Sequence, residues 1–321
     1  MVKHIHQVVA EDFAALNAQV VSQLHSQVPL VENIGHYIIE AGGKRMRPVL
    51  ALLCSRALDY RGDRHIDLAT VIEFLHTATL LHDDVVDMSS MRRGRPTANV
   101  RWDNPSSVLV GDFIYSRAFQ LLVRIGNMAI MDVMATTTNR ISEGEVLQLV
   151  HQRDPNTSET AYYEVIRNKT AILFAAACST AAILAGAPPR VQEKLHTFGL
   201  EVGMAFQLMD DVLDYTGNVD ELGKNVGDDL AEGKPTLPLI HTMRKGPETD
   251  RRLIAGAIRE GGLEHLQQII TAVQQSGALA YTRNVAEQRI AVALGCLDIL
   301  PDSPYRRGLE QVAEAALNRN S

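Results

Sequence analysis

Residues 73–87 read EFLHTATLLHDDVVD and residues 205–215 read AFQLMDDVLDY. In each stretch an apolar run at helical spacing leads directly into a DDxxD pattern. Asp83 and Asp87 are four residues apart, so an α-helix places them on one face. Like charges at this spacing destabilise a helix by about 0.2–0.5 kcal/mol, and the negative end of the helix dipole disfavours them further. A bound cation would remove both penalties, so each stretch predicts a metal-binding helix end.

The alternative for either cluster is an acidic face in contact with solvent. Two such clusters, each following a strongly apolar run, favour the metal site. Its ligands would be oxygen only, which favours Mg²⁺, an ion that binds few carboxylates and completes its coordination with water and substrate phosphates. The predicted metal-site residues are Asp83, Asp84, Asp87, Asp210, Asp211 and Asp214.

Helical spacing of apolar residues continues along the rest of the 321-residue chain, and aromatic residues make up only 5% of it. Alternating strand-like runs and Ser/Gly-rich linkers are missing. We therefore predict an all-α fold, a single domain over residues 1–321 built as a bundle of long antiparallel helices around a central apolar cavity. The predicted helices are 8–27, 31–41, 48–58, 68–88, 106–125, 128–151, 160–186, 190–215, 235–245, 250–260, 263–276, 278–299 and 304–319.

Composition narrows the class of protein. A hydrophobic fraction of 46% excludes a disordered chain, and a formal charge of −7 argues against nonspecific nucleic-acid binding. Three scattered cysteines without a CxxC pair favour neither disulfides nor zinc and suit a reducing compartment. The N-terminal residues show no apolar signal core, and the longest apolar run, near 171–188, is marginal for a membrane span. We expect a cytoplasmic protein.

Three glycine-containing loops carry positive charge: GGKRMRP at 42–48, RRGRP at 92–96, and GKNVGDD at 223–229 with GKPT at 233–236. The first lies at a predicted helix N-terminus, which attracts anions. Lys and Arg on flexible loops suit diphosphate oxygens, and Arg can bind them in a bidentate manner. Any one loop could simply neutralise nearby acids. Together with two aspartate clusters, the three loops predict a site for metal and two diphosphates, with an apolar lining.

These motifs resemble those of the trans-isoprenyl diphosphate synthases, helical enzymes that condense an allylic diphosphate with isopentenyl diphosphate. Residues 73–87 and 222–230 are similar to the long-chain, octaprenyl-forming bacterial members. One departure is Met88, where relatives often carry an acidic residue. The matching stretches are GGKRMRP at 42–48, EFLHTATLLHDDVVD at 73–87, MRRGRPTAN at 91–99, SVLVGDFIYSRAF at 107–119, EGEVLQL at 143–149, KT at 169–170, AFQLMDDVLDY at 205–215 and LGKNVGDDLAEGKPTLPL at 222–239.

The resemblance implies a role for each matching residue. The residues expected to bind the diphosphate of isopentenyl diphosphate are Lys44, Arg47, His76 and Arg93. Those expected to hold the allylic diphosphate with the metals are Arg92, Lys169, Lys224 and Lys234. Three Mg²⁺ ions are expected, two on Asp83 and Asp87 and the third on Asp210, with support from Asp84, Asp211 and Asp214. Thr170 and Gln207 are expected beside the allylic cation. Together with Lys169 they form the expected catalytic set.

The implied reaction is a sequential head-to-tail condensation onto farnesyl diphosphate, giving octaprenyl diphosphate for quinone side chains. Ala78 and Thr79 lie about one turn before Asp83 and are small, which leaves room for a growing tail. Short-chain relatives often carry a bulky aromatic at this level. Met134, or a neighbour such as Leu122, is the predicted tunnel floor, although ordinary core packing explains either residue equally well.

Other readings remain open at this point. A nonaprenyl, heptaprenyl or shorter-chain synthase shares the same chemistry, and so does a class I terpene cyclase, which needs no second diphosphate site. A non-catalytic subunit of a heteromeric synthase would be expected to lose motif residues that are intact here. The resemblance also implies a homodimer, with no nucleic acid partner and at most peripheral membrane contact.

Overall fold

The computed structural model describes residues 2–216 and 226–318, which are almost entirely helical. Lys224 lies outside the described residues. The helices are α1 Val2–Val8, α2 Ala10–Gln23, α3 Pro29–Glu40, α4 Met46–Ala57, α5 Arg64–Val86, α6 Ala98–Arg101, α7 Asn104–Ile125, α8 Met128–His151, α9 Glu159–Ile166, α10 Ile172–Leu184, α11 Pro189–Thr216, α12 Asp228–Ala231, α13 Leu237–Lys245, α14 Glu248–Glu260, α15 Leu266–Gln275, α16 Ala278–Cys296 and α17 Pro304–Leu317.

The predicted all-α class is confirmed, and every predicted helical segment contains a helix. Local chemistry explains where the helices that carry the site begin. Asp103 caps α7 by accepting a hydrogen bond from the backbone N–H of Ser106, and Asn127 caps α8 in the same way through Ala129 and Ile130. Gly126, with φ of 68°, ends α7 between these two caps.

A small hairpin interrupts the helices after α5. Strands β1 Met91–Arg92 and β2 Arg95–Pro96 pair antiparallel, with Met91 opposite Pro96. The two loop residues, Arg93 and Gly94, have φ values of 51° and 73°, as tight two-residue hairpins require. Two strands of two residues each are too short to show an alternation of apolar and polar residues. The sequence pattern therefore did not predict these strands.

Two further departures lie at basic positions. Helix α4 begins at Met46 rather than at Pro48, because Arg45 adopts a left-handed conformation with φ of 46° immediately before it. The predicted helix 160–186 contains a π-helical turn, Arg167–Ala171, between α9 and α10. Such turns insert one residue into an α-helix and occur often at functional sites.

The core centres on α10, where Ile172 through Ala182 are buried on every side. Helix α11 packs against it closely because two of its residues are glycines. A Cβ on Gly199 would lie 2.3 Å from the carbonyl oxygen of Phe174, and one on Gly203 would lie 2.6 Å from Cα of Ala171. This close approach packs α11 onto α10. The C-terminal ends of α5 and α11, which carry the aspartates, surround a shared space.

Among the described helices, none combines the length and apolarity that crossing a bilayer requires.

Candidate active site

Both aspartate clusters open into one cavity of about 270 Å³. Asp83 lies in the last turn of α5, and Asp87 is the residue immediately after that helix. Asp210 lies in the last turns of α11. The basic loops and the KT pair contribute to the same walls. The sequence-predicted residues that line this cavity are Arg47, His76, Thr79, Asp83, Asp87, Arg92, Lys169, Thr170, Gln207, Asp210, Asp211 and Lys234.

Two predicted metal-site aspartates do not line the cavity. Asp84 and Asp214 have no solvent-exposed surface. Asp84 accepts hydrogen bonds from Arg92, which lines the cavity, and the Nε and Nη2 atoms of Arg92 lie 2.9 Å and 2.7 Å from Oδ1 of Asp84. Burial raises the pKa of Asp84, and the bond to Arg92 opposes that shift. Asp84 is therefore placed to orient Arg92 rather than to contact a metal directly.

Other predicted residues also lie outside the cavity lining, which does not include Lys44 or Arg93. The Arg93 guanidinium lies against Gly43, where a Cβ would come within 2.7 Å of Nη2. Ala78 and Met134, predicted to control product length, are fully buried in the core.

Two lysine ammonium groups stand among the cavity carboxylates. Lys234 Nζ lies 3.0 Å from Oδ2 of Asp87 and also contacts Glu232. Lys169 Nζ lies 2.6 Å from Glu145 and 3.8 Å from Asp83. Burial disfavours the ammonium of Lys169, yet Asp83 and Glu145 raise its pKa overall. The carboxylates of Asp83 and Glu145 thus stabilise the charged form of Lys169 inside the cavity.

The donor chemistry suits a hard divalent cation, although among the described residues no three acidic, histidine or cysteine side chains lie close enough together to hold one as they stand. Asp83, Asp87, Asp210 and Asp229 present only carboxylate oxygens to the cavity, the ligand type that Mg²⁺ prefers. Burial raises the pKa of Asp83 despite the nearby charge of Lys169. A cation is therefore the species that would stabilise its ionised form.

Arg47 contacts two neighbouring side chains beside the cavity aspartates. Its Nη1 lies 3.1 Å from Nε2 of His76, and its guanidinium stacks 4.4 Å from the ring centroid of Phe174. Burial, followed by the charges of Arg47 and Arg93, holds the pKa of His76 well below its usual value. His76 is therefore neutral and accepts a hydrogen bond from Arg47, which orients that cation toward the cavity.

The π-helical turn carries Lys169 and Thr170, two of the three predicted catalytic residues. Helix α8 approaches this turn at Gly144, where a Cβ would lie 2.6 Å from the backbone nitrogen of Lys169. The hydroxyl of Thr170 donates to Oε1 of Gln207 at 3.0 Å, and Nε2 of Gln207 donates to Oδ1 of Asp211 at 2.9 Å. The turn thus places Thr170 and Gln207 side by side at the cavity wall.

A family model described as polyprenyl synthetase matches residues 28–274. The chain belongs to the polyprenyl synthetase family. The octaprenyl diphosphate synthase of Escherichia coli is 48% identical over 317 residues, covering 98% of each chain. The all-trans-nonaprenyl-diphosphate synthase (geranyl-diphosphate specific) of Rhodobacter capsulatus is 49% identical over 312 residues, or 97% of this chain and 96% of that protein.

A solved structure from the same family has the same fold. It is a polyprenyl synthase from Caulobacter crescentus, complexed with calcium and isoprenyl diphosphate, with a TM-score of 0.97 and 39% identity. The match covers 100% of this chain and 98% of that one. The resemblance inferred from the motifs, the isoprenoid synthase fold and the prediction of a prenyltransferase are therefore confirmed.

Three acidic or phenolic groups that the sequence pattern did not predict also line this polyprenyl synthetase cavity: Glu145, Tyr162 and Asp229. Burial raises the pKa of Glu145 to about 7, against the charge of Lys169. Glu145 and Asp229 lie within the motifs at 143–149 and 222–239 on which the resemblance rests. Their position in those motifs is the sequence feature that could have identified them as site residues. Nothing in the sequence pattern distinguished Tyr162 from its neighbour Tyr163.

A second cavity of about 90 Å³ lies between α5, α7 and α8 of the synthetase. It shares Thr79, Asp83 and Glu145 with the first cavity. Thr79, unlike Ala78, thus lies between the acidic site and the space beside it. The lining consists of Leu75, Thr79, His82, Asp83, Tyr115, Thr138, Ile141, Ser142 and Glu145.

Proposed function

We propose that the protein is a long-chain all-trans polyprenyl diphosphate synthase, folded as one domain over residues 1–321. It adds isopentenyl units head-to-tail to farnesyl diphosphate and forms octaprenyl diphosphate for quinone side chains. The observation that carries the proposal is the single cavity that collects Asp83, Asp87 and Asp210 together with the cations Arg47 and Lys169. Identity of 48% with the Escherichia coli octaprenyl diphosphate synthase supports the product class.

The acidic side of the cavity is the proposed magnesium site. Asp83 and Asp87 would hold two Mg²⁺ ions and Asp210 a third, with Asp84, Asp211 and Asp214 in support. Bound there, Mg²⁺ supplies Lewis-acid stabilisation of the negative charge on a departing diphosphate. The two ammonium groups now beside these carboxylates, Lys169 and Lys234, would turn to the allylic diphosphate with Arg92 and Lys224.

The protein's own groups account for the remaining steps. Arg47 and neutral His76, with Lys44 and Arg93, bind the diphosphate of isopentenyl diphosphate. When the allylic C–O bond breaks, the oxygens of Thr170 and Gln207 face the positive carbon and stabilise it electrostatically. The isopentenyl double bond then attacks this carbon, a C–C bond forms, and a proton passes to the released diphosphate. Apolar helices exclude the water that would otherwise trap the cation.

The second cavity is the proposed start of the product tunnel. Thr79 is the small residue between the two cavities, and Ala78 beside it adds no bulk. Along α8, the lining residues Thr138 and Ile141 are four and seven residues after Met134, so the three share one helix face. A tail that advances along this face would meet Met134, the proposed floor.

Product chromatography tests the proposal directly. The purified protein is incubated with Mg²⁺, farnesyl diphosphate and isopentenyl diphosphate, and the dephosphorylated product is sized. Octaprenol supports the proposal. Nonaprenol would instead match the similarly related Rhodobacter capsulatus enzyme, and heptaprenol or a shorter alcohol would place the floor nearer the metal site. A cyclised hydrocarbon would indicate a cyclase, and no product would indicate a non-catalytic subunit.

We further propose a cytoplasmic homodimer that contacts membranes only peripherally. Leu109 and Val123 on α7, and Met128 and Val146 on α8, expose more than half of their surface. Helical periodicity places Leu109 and Val123 on one side of α7, so the two helices offer an apolar face for a second copy. Cys54, Cys178 and Cys296 are free and buried, which suits a reducing compartment. Light scattering would give twice the 35.3 kDa chain mass for the dimer.

A further inference from the structure

We propose that Tyr162 is a positioning residue that sets the orientation of Gln207 and Thr170 toward the reacting allylic carbon. The inference rests on the proposed prenyl transfer and adds to it a residue that the family motifs did not single out. Tyr162 lies on α9, is 5% exposed and lines the active-site cavity. Its hydroxyl is joined to the predicted catalytic groups through Asp211, so its effect on the reaction would be indirect.

Three hydrogen bonds form a continuous relay from Tyr162 to Thr170. The Tyr162 hydroxyl donates to Oδ2 of Asp211 at 2.5 Å. The other oxygen of Asp211 accepts from Nε2 of Gln207 at 2.9 Å. Oε1 of Gln207 then accepts from the hydroxyl of Thr170 at 3.0 Å. The relay therefore joins α9, α11 and the π-helical turn.

The relay fixes the direction of every hydrogen in it. Both oxygens of Asp211 accept hydrogen bonds, one from the Tyr162 hydroxyl and the other from Nε2 of Gln207, so the NH₂ side of the Gln207 amide faces Asp211. The carbonyl side of that amide must then face Thr170. Because the single hydroxyl hydrogen of Thr170 is used on Gln207, the lone pairs of Thr170 remain for the cavity. Two neutral oxygens, from Thr170 and Gln207, are thereby turned toward the place where positive charge develops.

Without the Tyr162 hydroxyl, Asp211 loses the donor that holds its second oxygen. The carboxylate is then free to rotate, and the amide of Gln207 can flip so that its NH₂ group faces Thr170. A flipped amide presents positive rather than negative partial charge near the reacting carbon. Of the proposed metal-site residues, Asp211 belongs to the relay in a supporting role, whereas Asp83, Asp87 and Asp210 lie outside it, as do the diphosphate-binding cations Arg47 and Lys169. KM should therefore change much less than kcat.

The neighbouring tyrosine provides a matched control. Tyr163 lies on the same helix, and its hydroxyl also donates to a carboxylate, Glu159, at 2.9 Å. Glu159 accepts a further hydrogen bond from Tyr281 at 2.6 Å and does not line the active-site cavity. Tyr162→Phe and Tyr163→Phe thus remove the same atom from adjacent residues, and only the first breaks the relay.

The test compares steady-state kinetics of both variants at one temperature below the melting temperature of every protein used. For Tyr162→Phe we expect kcat to fall about tenfold, less than the roughly 10²–10³-fold cost of removing a directly stabilising donor. KM for both substrates should stay near the parental value. Tyr163→Phe should keep the parental kcat. An unchanged kcat in Tyr162→Phe would overturn the proposal. So would a fall in kcat/KM that comes entirely from a higher KM.

A double-mutant cycle separates the relay from a general packing defect. In a Gln207→Leu background the relay is already broken between Asp211 and Thr170, so Tyr162→Phe should cost much less than it does in the parent. The same cost in both backgrounds would mean that Tyr162 acts through packing alone. The activity of the parent protein tests the proposed function separately. A parent that forms no prenyl product refutes prenyl transfer. An active parent with a fully active Tyr162→Phe variant refutes only the relay.

Discussion

Lys234 places its Nζ 3.0 Å from Oδ2 of Asp87, although 147 residues separate the two along the chain. The contact joins the segment before α13 to the residue immediately after α5. A lysine ammonium thus occupies the position at which the sequence predicts a metal ion. Binding of Mg²⁺ at Asp87 must displace or share this contact, so metal binding and the position of Lys234 are coupled.

Removal of the aspartates should abolish magnesium binding as well as activity. With Mg²⁺ and inorganic diphosphate at about 100 times the dissociation constant, the parent should gain about 2.7 kcal/mol of stability. Asp83→Ala and Asp210→Ala should lose this gain, because the remaining carboxylates cannot complete the site. Differential scanning fluorimetry with and without the two ligands measures the shift, and prenyl transfer is assayed in parallel.

Asp132→Ala is the control for these variants, since Asp132 is exposed on α8 and does not line the cavity. It should keep both the magnesium-dependent shift and the activity. Parental turnover in Asp83→Ala or Asp210→Ala would contradict the assignment of the metal site.

Gly144→Ala should impair the site through the backbone. A Cβ at this position would lie 2.6 Å from the nitrogen of Lys169, so α8 and the π-helical turn would have to separate. Overpacking of this kind typically costs about 1–3 kcal/mol. We expect a lower melting temperature together with a higher KM for the allylic diphosphate, because Lys169 moves with the turn.

Gly256→Ala makes the same chemical change without the clash. Gly256 lies on α14, and a Cβ there would meet nothing within 4 Å. This variant should be as stable as the parent or more stable by up to about 1 kcal/mol, because alanine is the better helix former. Equal losses in both glycine variants would show that helix propensity, rather than the contact with Lys169, is responsible.

Stability should fall with acid through a buried cluster far from the cavity. Arg56 donates to both oxygens of Asp12 at 2.6 Å, and Nε2 of His65 lies 3.0 Å from Oδ1 of the same carboxylate. Burial lowers the pKa of His65, against the effect of Asp12, from its ordinary value of 6.5. As pH falls below 6.5 the unfolded chain takes up a proton that the folded chain excludes, so the folded state loses stability.

Melting temperatures measured across this acidic range should therefore decrease less in His65→Gln than in the parent. The exposed His25 provides the comparison, and His25→Gln should decline with acid as the parent does. Asp12 adds a second loss at lower pH. Burial raises its pKa, but Arg56 and His65 lower it overall from 3.8, so its contribution disappears only as pH falls below that value. Identical pH profiles for parent and His65→Gln would contradict the buried-histidine explanation.

Helix positions were largely predictable because caps and apolar periodicity agree. The predicted helix 128–151 matches α8 to the residue, since Asn127 provides its N-cap and Gly126 ends the helix before it. The π-helical turn at Arg167–Ala171 was not predictable, because one inserted residue scarcely alters a run that is apolar on every side.

The sequence predicted most of the charged residues that form the candidate site, but not the direction in which each side chain points. The DDxxD pattern identifies three aspartates on the end of α5, but adjacent residues on a helix point about 100° apart. Only the packing of the hairpin turns Asp84 toward Arg92 and leaves Asp83 in the cavity. Tyr162 and Tyr163 are likewise adjacent residues on one helix, and the sequence does not distinguish them. The fold places the hydroxyl of Tyr162 against Asp211 and that of Tyr163 against Glu159.

Product length should respond to the residue between the two cavities. Thr79 lines both, so Thr79→Phe would fill the passage and stop the growing tail early. We expect shorter alcohols after dephosphorylation, with the rate of the first condensation retained, because Asp83 and Arg47 are unchanged. Met134→Ala should shift the product to longer alcohols, since it removes bulk from the face of α8 that continues from Thr138 and Ile141. Chromatography of both product sets decides the matter, and a tail that keeps its parental length in both variants would mean that it leaves the metal site by another route.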